Sequence, residues 1–224
     1  MRFRLSALSV VFVVIVGYVS TMGRAGADDQ VVNATTLVSA NAVMVDDQPA
    51  YAYVGSKKCK KCHFKQYKSW AKTKMSHAFD ILKPGQHKEA KEKFHVDVTK
   101  DFTKDAKCLK CHTVGFGKKG GYVTPDPSDK KAVRKAKKLM GVGCECCHGP
   151  GSGYIKVFED ILKSKRKYDP EELYAVGLNR IDETVCKTCH NEESPTINPG
   201  DPFDFEKRKA EGTHKHFPLK QRKQ

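Results

Sequence analysis

A five-residue pattern, Cys-x-x-Cys-His, occurs four times in this chain. In each copy two thiols stand three residues apart and an imidazole follows directly. This spacing is the signature of c-type haem attachment, in which both thiols bond to the haem edge and the histidine ligates the iron. Zinc sites use histidine at other spacings, and redox-active cysteine pairs do not require a following histidine. The sequence therefore predicts four covalently attached haem c groups.

The pattern assigns eight of the nine cysteines to haem attachment and four histidines to the proximal side of the irons. The attachment cysteines are Cys59, Cys62, Cys108, Cys111, Cys144, Cys147, Cys186 and Cys189. The proximal histidines are His63, His112, His148 and His190. Cys146 is left over, because only Cys144 stands three residues before Cys147. We expect an unmodified thiol there, with an intermolecular disulfide as the alternative.

Five further histidines are available as sixth ligands, which would make the irons low-spin and suited to electron transfer. His77 is the first candidate. It lies fourteen residues after His63 on a predicted helix over residues 62–82, about 21 Å along that helix. Because of this separation we expect His77 to ligate a different haem from the one bound by His63.

The other distal candidates lie on either side of the remaining motifs. His214 and His216 are separated by one residue, so we expect them to point apart, and we prefer His214 as the ligand. His95 precedes the second motif and is also a candidate. His87, beside a Pro-Gly pair among lysines, is expected to be exposed.

Residues 1–27 have the pattern of a secretory signal: two arginines, an apolar run, and small residues at 25–27. A retained membrane anchor is the alternative, but the apolar run is short for a span. Covalent haem attachment in bacteria also takes place outside the cytoplasm. We therefore expect the mature chain to be periplasmic or extracellular, with no membrane span.

The rest of the chain divides by composition. Residues 28–54 contain no lysine or arginine and many β-branched residues, which favours an extended arm, with a mobile terminus as the alternative. Residues 55–224 form the predicted tetrahaem domain. Its expected helices cover residues 62–82, 128–140 (capped by Ser128 or Asp129), 155–164, 170–176 and 204–211, with a glycine-rich turn at 115–122 and loops at 125–128 and 195–202.

Composition sets the expected fold class. Hydrophobic residues make up only 39% of the chain, which is low for a domain that must bury a core. Four apolar porphyrins would supply much of that core. We predict a mainly α protein with much irregular chain, a multihaem cytochrome c fold packed around four haems, which does not fold without them.

The net charge of +15 restricts the expected partners. A basic chain can bind nucleic acid, but four haem motifs and an export signal exclude that function here. Positive charge instead favours association with redox partner proteins that have acidic surfaces. The alternative is that many of the lysines only form a solvated face.

Three stretches of this chain resemble the tetrahaem cytochromes that accept electrons from hydroxylamine oxidoreductase. They are Ser69-Trp70 with Thr73 and His77, the glycine-rich turn at 115–122, and residues 141–151 around the third motif; His214-Lys215-His216 also resembles the family's carboxy-terminal His-x-His. The resemblance covers most of the chain after residue 55. It implies closely packed haem pairs, with His77 and His214 as distal ligands.

Two positions depart from that family's pattern. The family has a distal histidine shortly after the Gly-Pro-Gly segment, whereas residues 151–156 contain none. It also leaves its second haem without a sixth protein ligand, whereas this chain has His87 and His95 upstream of the second motif. The sequence is also similar to extracellular tetrahaem cytochromes that polymerise into filaments, in which a neighbouring subunit can donate a histidine.

From these features we expect an exported electron carrier and not an enzyme. Two alternatives remain open. The same protomer could assemble into a conducting filament. One five-coordinate haem could instead reduce a small nitrogen oxide or hydroxylamine.

Overall fold

Short helices joined by irregular chain make up this computed structural model, which describes residues 51–195 and 203–223. The helices are α1 (Ser56–Cys59), α2 (Phe64–Trp70), α3 (Lys88–Lys93), α4 (Ala106–His112), α5 (Lys130–Lys137), α6 (Cys144–His148), α7 (Tyr154–Ser164), α8 (Glu171–Tyr174), α9 (Glu183–Lys187) and α10 (Phe205–Gly212). The described ranges contain no β-strand, only two isolated bridges. The predicted mainly α fold is confirmed.

Several sequence predictions fall outside the described ranges. The signal at 1–27, most of the arm at 28–54 and nearly all of the loop at 195–202 lie there. In the ranges that are described, no helix is both long and apolar enough to cross a membrane.

Aspartates begin four of the helices. The side chains of Asp105, Asp129, Asp182 and Asp204 each accept hydrogen bonds from backbone N–H groups in the first turn of α4, α5, α9 and α10. These caps satisfy N–H groups that have no partner within the helix. The expected helix over 128–140 is therefore confirmed as α5, with Asp129 as its cap.

The continuous helix predicted over residues 62–82 is wrong. Helix α2 ends at Trp70, and two short 3₁₀ segments follow at Lys74–His77 and Asp80–Leu82. Hydroxyl groups compete for the carbonyl oxygens of this segment: Thr73 Oγ1 donates to the Trp70 carbonyl at 2.7 Å. Such local bonds offer the backbone an alternative to the helix. The 21 Å separation inferred for His63 and His77 no longer holds.

The apolar core of the described residues consists of two small clusters. One contains Phe79, Leu82, Leu109, Val114, Tyr122, Ala136 and Leu139. The other contains Ile161, Tyr168 and Leu173 beside α7 and α8. The motif-bearing helices α1, α6 and α9 contribute no residue to the buried part of either cluster. This is the arrangement expected if haems complete the core.

The end of the predicted arm is packed against the haem-motif region. Tyr53 N–H donates to the Lys119 carbonyl at 2.9 Å, within the glycine-rich turn. Gly115 lies beneath the Tyr53 ring with φ +61°, and a Cβ there would lie 2.5 Å from a ring carbon. Glycine is required at this position both for its backbone conformation and for the close approach of the ring.

Candidate haem-binding sites

Each Cys-x-x-Cys-His motif forms a single helical turn. Helices α4 and α6 contain the second and third motifs whole. In the first and fourth motifs the histidine N–H donates to the carbonyl of the first cysteine, at 2.9 Å for both His63 and His190. Residues three and four apart lie on one face of a helical turn. Both thiols and the imidazole of each motif can therefore reach one haem.

Burial keeps the four proximal histidines neutral. It lowers the pKa of His63, His112 and His190, and it lowers that of His148 to about 4. Part of the His148 shift comes from neighbouring histidines, because two imidazolium charges repel. Neutral imidazole is the form that ligates a metal.

Backbone carbonyls orient two of the imidazoles. His112 Nδ1 lies 2.5 Å from the Ala78 carbonyl oxygen, and His214 Nδ1 lies 2.9 Å from that of Lys215. A proton on Nδ1 donates to the carbonyl and leaves the Nε2 lone pair free. Histidines that ligate metals usually make such a bond with their other ring nitrogen.

Three histidines come together near the third motif. One ligand atom each of His148, His214 and His216 lies within 4.8 Å of the others. An imidazole nitrogen lies about 2 Å from a transition metal that it ligates, so two opposite ligands lie about 4 Å apart. His63 lies near enough for His214 to influence its pKa. The carboxy-terminal segment therefore supplies imidazoles next to the first and third motifs.

The expectation that His214 and His216 point apart is wrong. Their ring centroids are 4.3 Å apart. The chain is irregular here, so side chains two residues apart need not point to opposite sides as they do in a strand. The structure brings both His214 and His216 near His148, and the His-x-His pattern was the sequence signal for both.

The other two distal candidates lie away from this cluster. His77 is exposed, with Nε2 3.2 Å from the Ala71 carbonyl oxygen and Nδ1 3.9 Å from Asp80. His95 is exposed and has a left-handed backbone conformation (φ 55°). Their assignment as ligands stays a prediction. His87 is exposed, as expected.

Thiol contacts reveal the spatial order of the motifs. Cys59 of the first motif lies close enough to Cys144 of the third for the two thiols to interact. Cys111 of the second motif lies equally within interaction range of Cys189 of the fourth. Cys147 of the third motif lies close enough to Cys189 for their charges to interact. The motifs are therefore adjacent in the order first, third, fourth, second.

Two residues inside the third motif have structural roles. Cys146 is half-buried, and its thiol lies 3.7 Å from the Thr113 carbonyl oxygen. Glu145 is 1% exposed, and its carboxylate accepts hydrogen bonds from the backbone N–H groups of Val54, Gly55 and Gly151. Glu145 was missed by sequence reasoning, because it occupies a variable position of the motif.

These residues fit four c-type haems. None of the eight attachment cysteines is fully buried. The proximal imidazoles are neutral, and His148, His214 and His216 are close enough together that two of them could hold one iron, which would supply one-electron chemistry.

Comparisons with known proteins agree with this fit. Residues 58–149 match the family described as cytochrome c554 and c-prime. The chain is 38% identical over 159 residues to cytochrome c-554 of Nitrosomonas europaea; the match covers 69% of this chain and 63% of that protein.

A solved structure supports the same relationship. Cytochrome c554 of Nitrosomonas europaea in its reduced state superposes with a TM-score of 0.67 at 34% identity, covering 79% of this chain and 91% of that one. Its fold confirms the predicted multihaem cytochrome c fold. From the four attachment motifs and this likeness in sequence and fold, we conclude that the chain belongs to the cytochrome c554 family and carries four covalently attached haem c groups.

Proposed function

We propose that this chain is an exported electron carrier that exchanges electrons with redox partner proteins and is not itself an enzyme. The observation that carries the proposal is the continuous order of the motifs, set by the contacts Cys59–Cys144, Cys147–Cys189 and Cys189–Cys111. Haem iron, when bound, supplies reversible one-electron chemistry. The role of the chain is to hold four such groups in sequence.

Family membership supports this function. Neutral, oriented imidazoles beside the motifs favour stable iron coordination, which allows electron transfer with little rearrangement. A periplasmic or extracellular location follows from the signal-like residues 1–27 and from the site of haem attachment. The net positive charge favours partners with acidic surfaces.

A redox titration combined with a turnover assay tests the proposal. We expect the holo-protein to take up and release one electron per haem reversibly. We also expect the reduced protein to convert no more nitrite, nitric oxide or hydroxylamine than its four stored electrons can reduce. Sustained turnover of any of the three would replace the carrier function with the reductase alternative.

Iron coordination is tested separately by low-temperature electron paramagnetic resonance of the oxidised protein. A high-spin ferric signal from about one haem in four would reveal an open coordination position, as in the resembling family. A purely low-spin spectrum would mean that every sixth position is filled. The filament alternative is tested by size-exclusion chromatography, where a carrier elutes as a small discrete species and a filament in the void volume.

A further inference from the structure

The segment that contains the first motif is strongly positive. Residues 51–79 contain eight lysines and no aspartate or glutamate. All eight lysines are exposed, and none makes an ion pair with another described residue. The lysines inside the second and fourth motifs are paired, Lys110 with Glu193 and Lys187 with Glu183.

Exposed aromatic rings lie among these lysines. Phe64, directly after His63, is 52% exposed, and the ammonium groups of Lys60 and Lys68 lie 5.8 and 5.5 Å from its ring centroid. Lys65 lies 5.9 Å from the centroid of Phe217. Phe217 is also partly exposed, at 36%. An exposed aromatic ring within a charged rim is a common arrangement at protein–protein interfaces.

A basic cleft beside α1 extends this surface. Lys57 lines it together with Lys131, Arg134, Lys135, Lys137 and Lys138 of the α5 region. Its one acidic residue, Asp129, accepts hydrogen bonds from the first turn of α5 as the helix cap. The cleft therefore presents cations to solvent, and its carboxylate is already engaged.

We infer that Phe64, Phe217 and the lysines around them, with the adjoining cleft, form the docking surface for an acidic redox partner. We name this surface the first-motif face. The inference rests on the proposed electron-carrier function and adds where the partner binds. Docking here places the partner beside Cys59 and Cys62, at one end of the motif order.

The charge pattern favours an acidic protein as the partner that binds this surface. A second copy of the chain would present the same cations, and like charges facing each other oppose association. An anionic membrane would satisfy the lysines equally well, but the exposed rings of Phe64 and Phe217 among these lysines match a protein interface better. The membrane is therefore one outcome of the test.

Calorimetric titration of the holo-protein with oxidised plant-type ferredoxin, an acidic redox protein, tests the inference. The first variant combines Lys60→Gln, Lys65→Gln and Lys68→Gln. The matched control combines Lys93→Gln, Lys104→Gln and Lys118→Gln, which removes the same charge from exposed positions elsewhere. We expect Kd to rise about tenfold in the first variant at low ionic strength and to change less than about twofold in the control.

Further measurements separate the alternatives. Phe64→Ala, which leaves the charge unchanged, should also weaken binding, and visible spectra should match those of the unsubstituted protein. Equal weakening in both lysine variants, or weakening in neither, overturns the inference. Binding of phosphatidylglycerol vesicles, but not ferredoxin, at the same lysines also overturns it. The redox titration of the same variants reports separately on the electron-carrier function.

Discussion

Glu145 is predicted to hold three separate parts of the chain together. Its side chain lies in the third motif. The carboxylate accepts hydrogen bonds from the backbone N–H groups of Val54 at 2.9 Å, Gly55 at 2.6 Å and Gly151 at 2.7 Å. Removing the carboxylate by Glu145→Ala leaves these donors without an acceptor. A buried unsatisfied donor costs about 1–3 kcal/mol.

The expected loss follows from those contacts. Three donors would cost about 3–9 kcal/mol by simple addition, but a water molecule can enter the vacated polar space. We therefore expect Glu145→Ala to lower the free energy of unfolding by about 3–5 kcal/mol. Glu145→Gln retains one acceptor oxygen for Val54 and Gly151 and turns an NH₂ group towards Gly55. We expect it to cost about 1–3 kcal/mol.

Urea denaturation of the holo-protein, followed by far-ultraviolet circular dichroism, measures the free energy of unfolding of both variants. Glu159→Gln is the matched control, because this glutamate is exposed and makes no ion pair with a described residue. Its free energy of unfolding should stay within about 0.5 kcal/mol of the unsubstituted protein. If Glu145→Ala stays within the same range, the bridging role assigned to the carboxylate is wrong.

The pH dependence provides a second test of the same residue. Burial raises the pKa of Glu145, and the three hydrogen bonds oppose the shift without cancelling it. The folded state then binds the proton more tightly than the unfolded state, whose pKa is about 4.3. Stability should therefore fall as pH rises from about 4.3 to the folded-state pKa, and Glu145→Gln should remove this dependence. A rise in stability over that range would show that hydrogen bonding outweighs desolvation.

Three further predictions concern the local structure and the cofactor. In thermal unfolding, Gly115→Ala should lower the free energy of unfolding by about 1–3 kcal/mol more than Gly117→Ala. Both glycines have positive φ, but only a Cβ at residue 115 would meet the Tyr53 ring. Equal losses in the two variants would exclude the ring contact as the cause. Asp105→Ala should lower the free energy of unfolding by about 1 kcal/mol, because it removes the α4 cap. Asp105→Ser, which retains a capping oxygen, should retain most of that stability. Equal stability of the two variants would argue against capping. The chain produced without haem attachment should lack a cooperative unfolding transition by circular dichroism, and a sharp transition would show that the apolar clusters suffice.

The sequence alone determined the features that depend on one helical turn. Each motif places its thiols and imidazole on one face, because residues three and four apart are neighbours whatever surrounds them. Aspartates such as Asp129 begin helices for the same local reason, since their side chains reach only the next few N–H groups. Fold class was predictable because the motifs and a low apolar content together indicated a domain packed around haems.

The tertiary structure decided what depends on distant residues. Beside the local hydroxyl bonds that interrupt the helix expected over 62–82, distant contacts hold this segment: Trp70 Nε1 donates to the Val142 carbonyl at 2.9 Å, and Val142 N–H donates to the Met75 carbonyl. No local pattern shows these contacts. His214 and His216 converge on His148 because the carboxy-terminal segment folds back over α2, where Lys215 N–H donates to Ser69.

The order of the motifs has the same origin. Cys59 and Cys144 are 85 residues apart in sequence, yet they lie close enough for their thiols to interact. Spacing along the chain carries no information about such a pairing, because irregular segments of different length join the motifs. Only the packing of those segments sets which motifs are neighbours, and the carboxylate of Glu145 contributes by holding residues 54–55, next to the first motif, against the third.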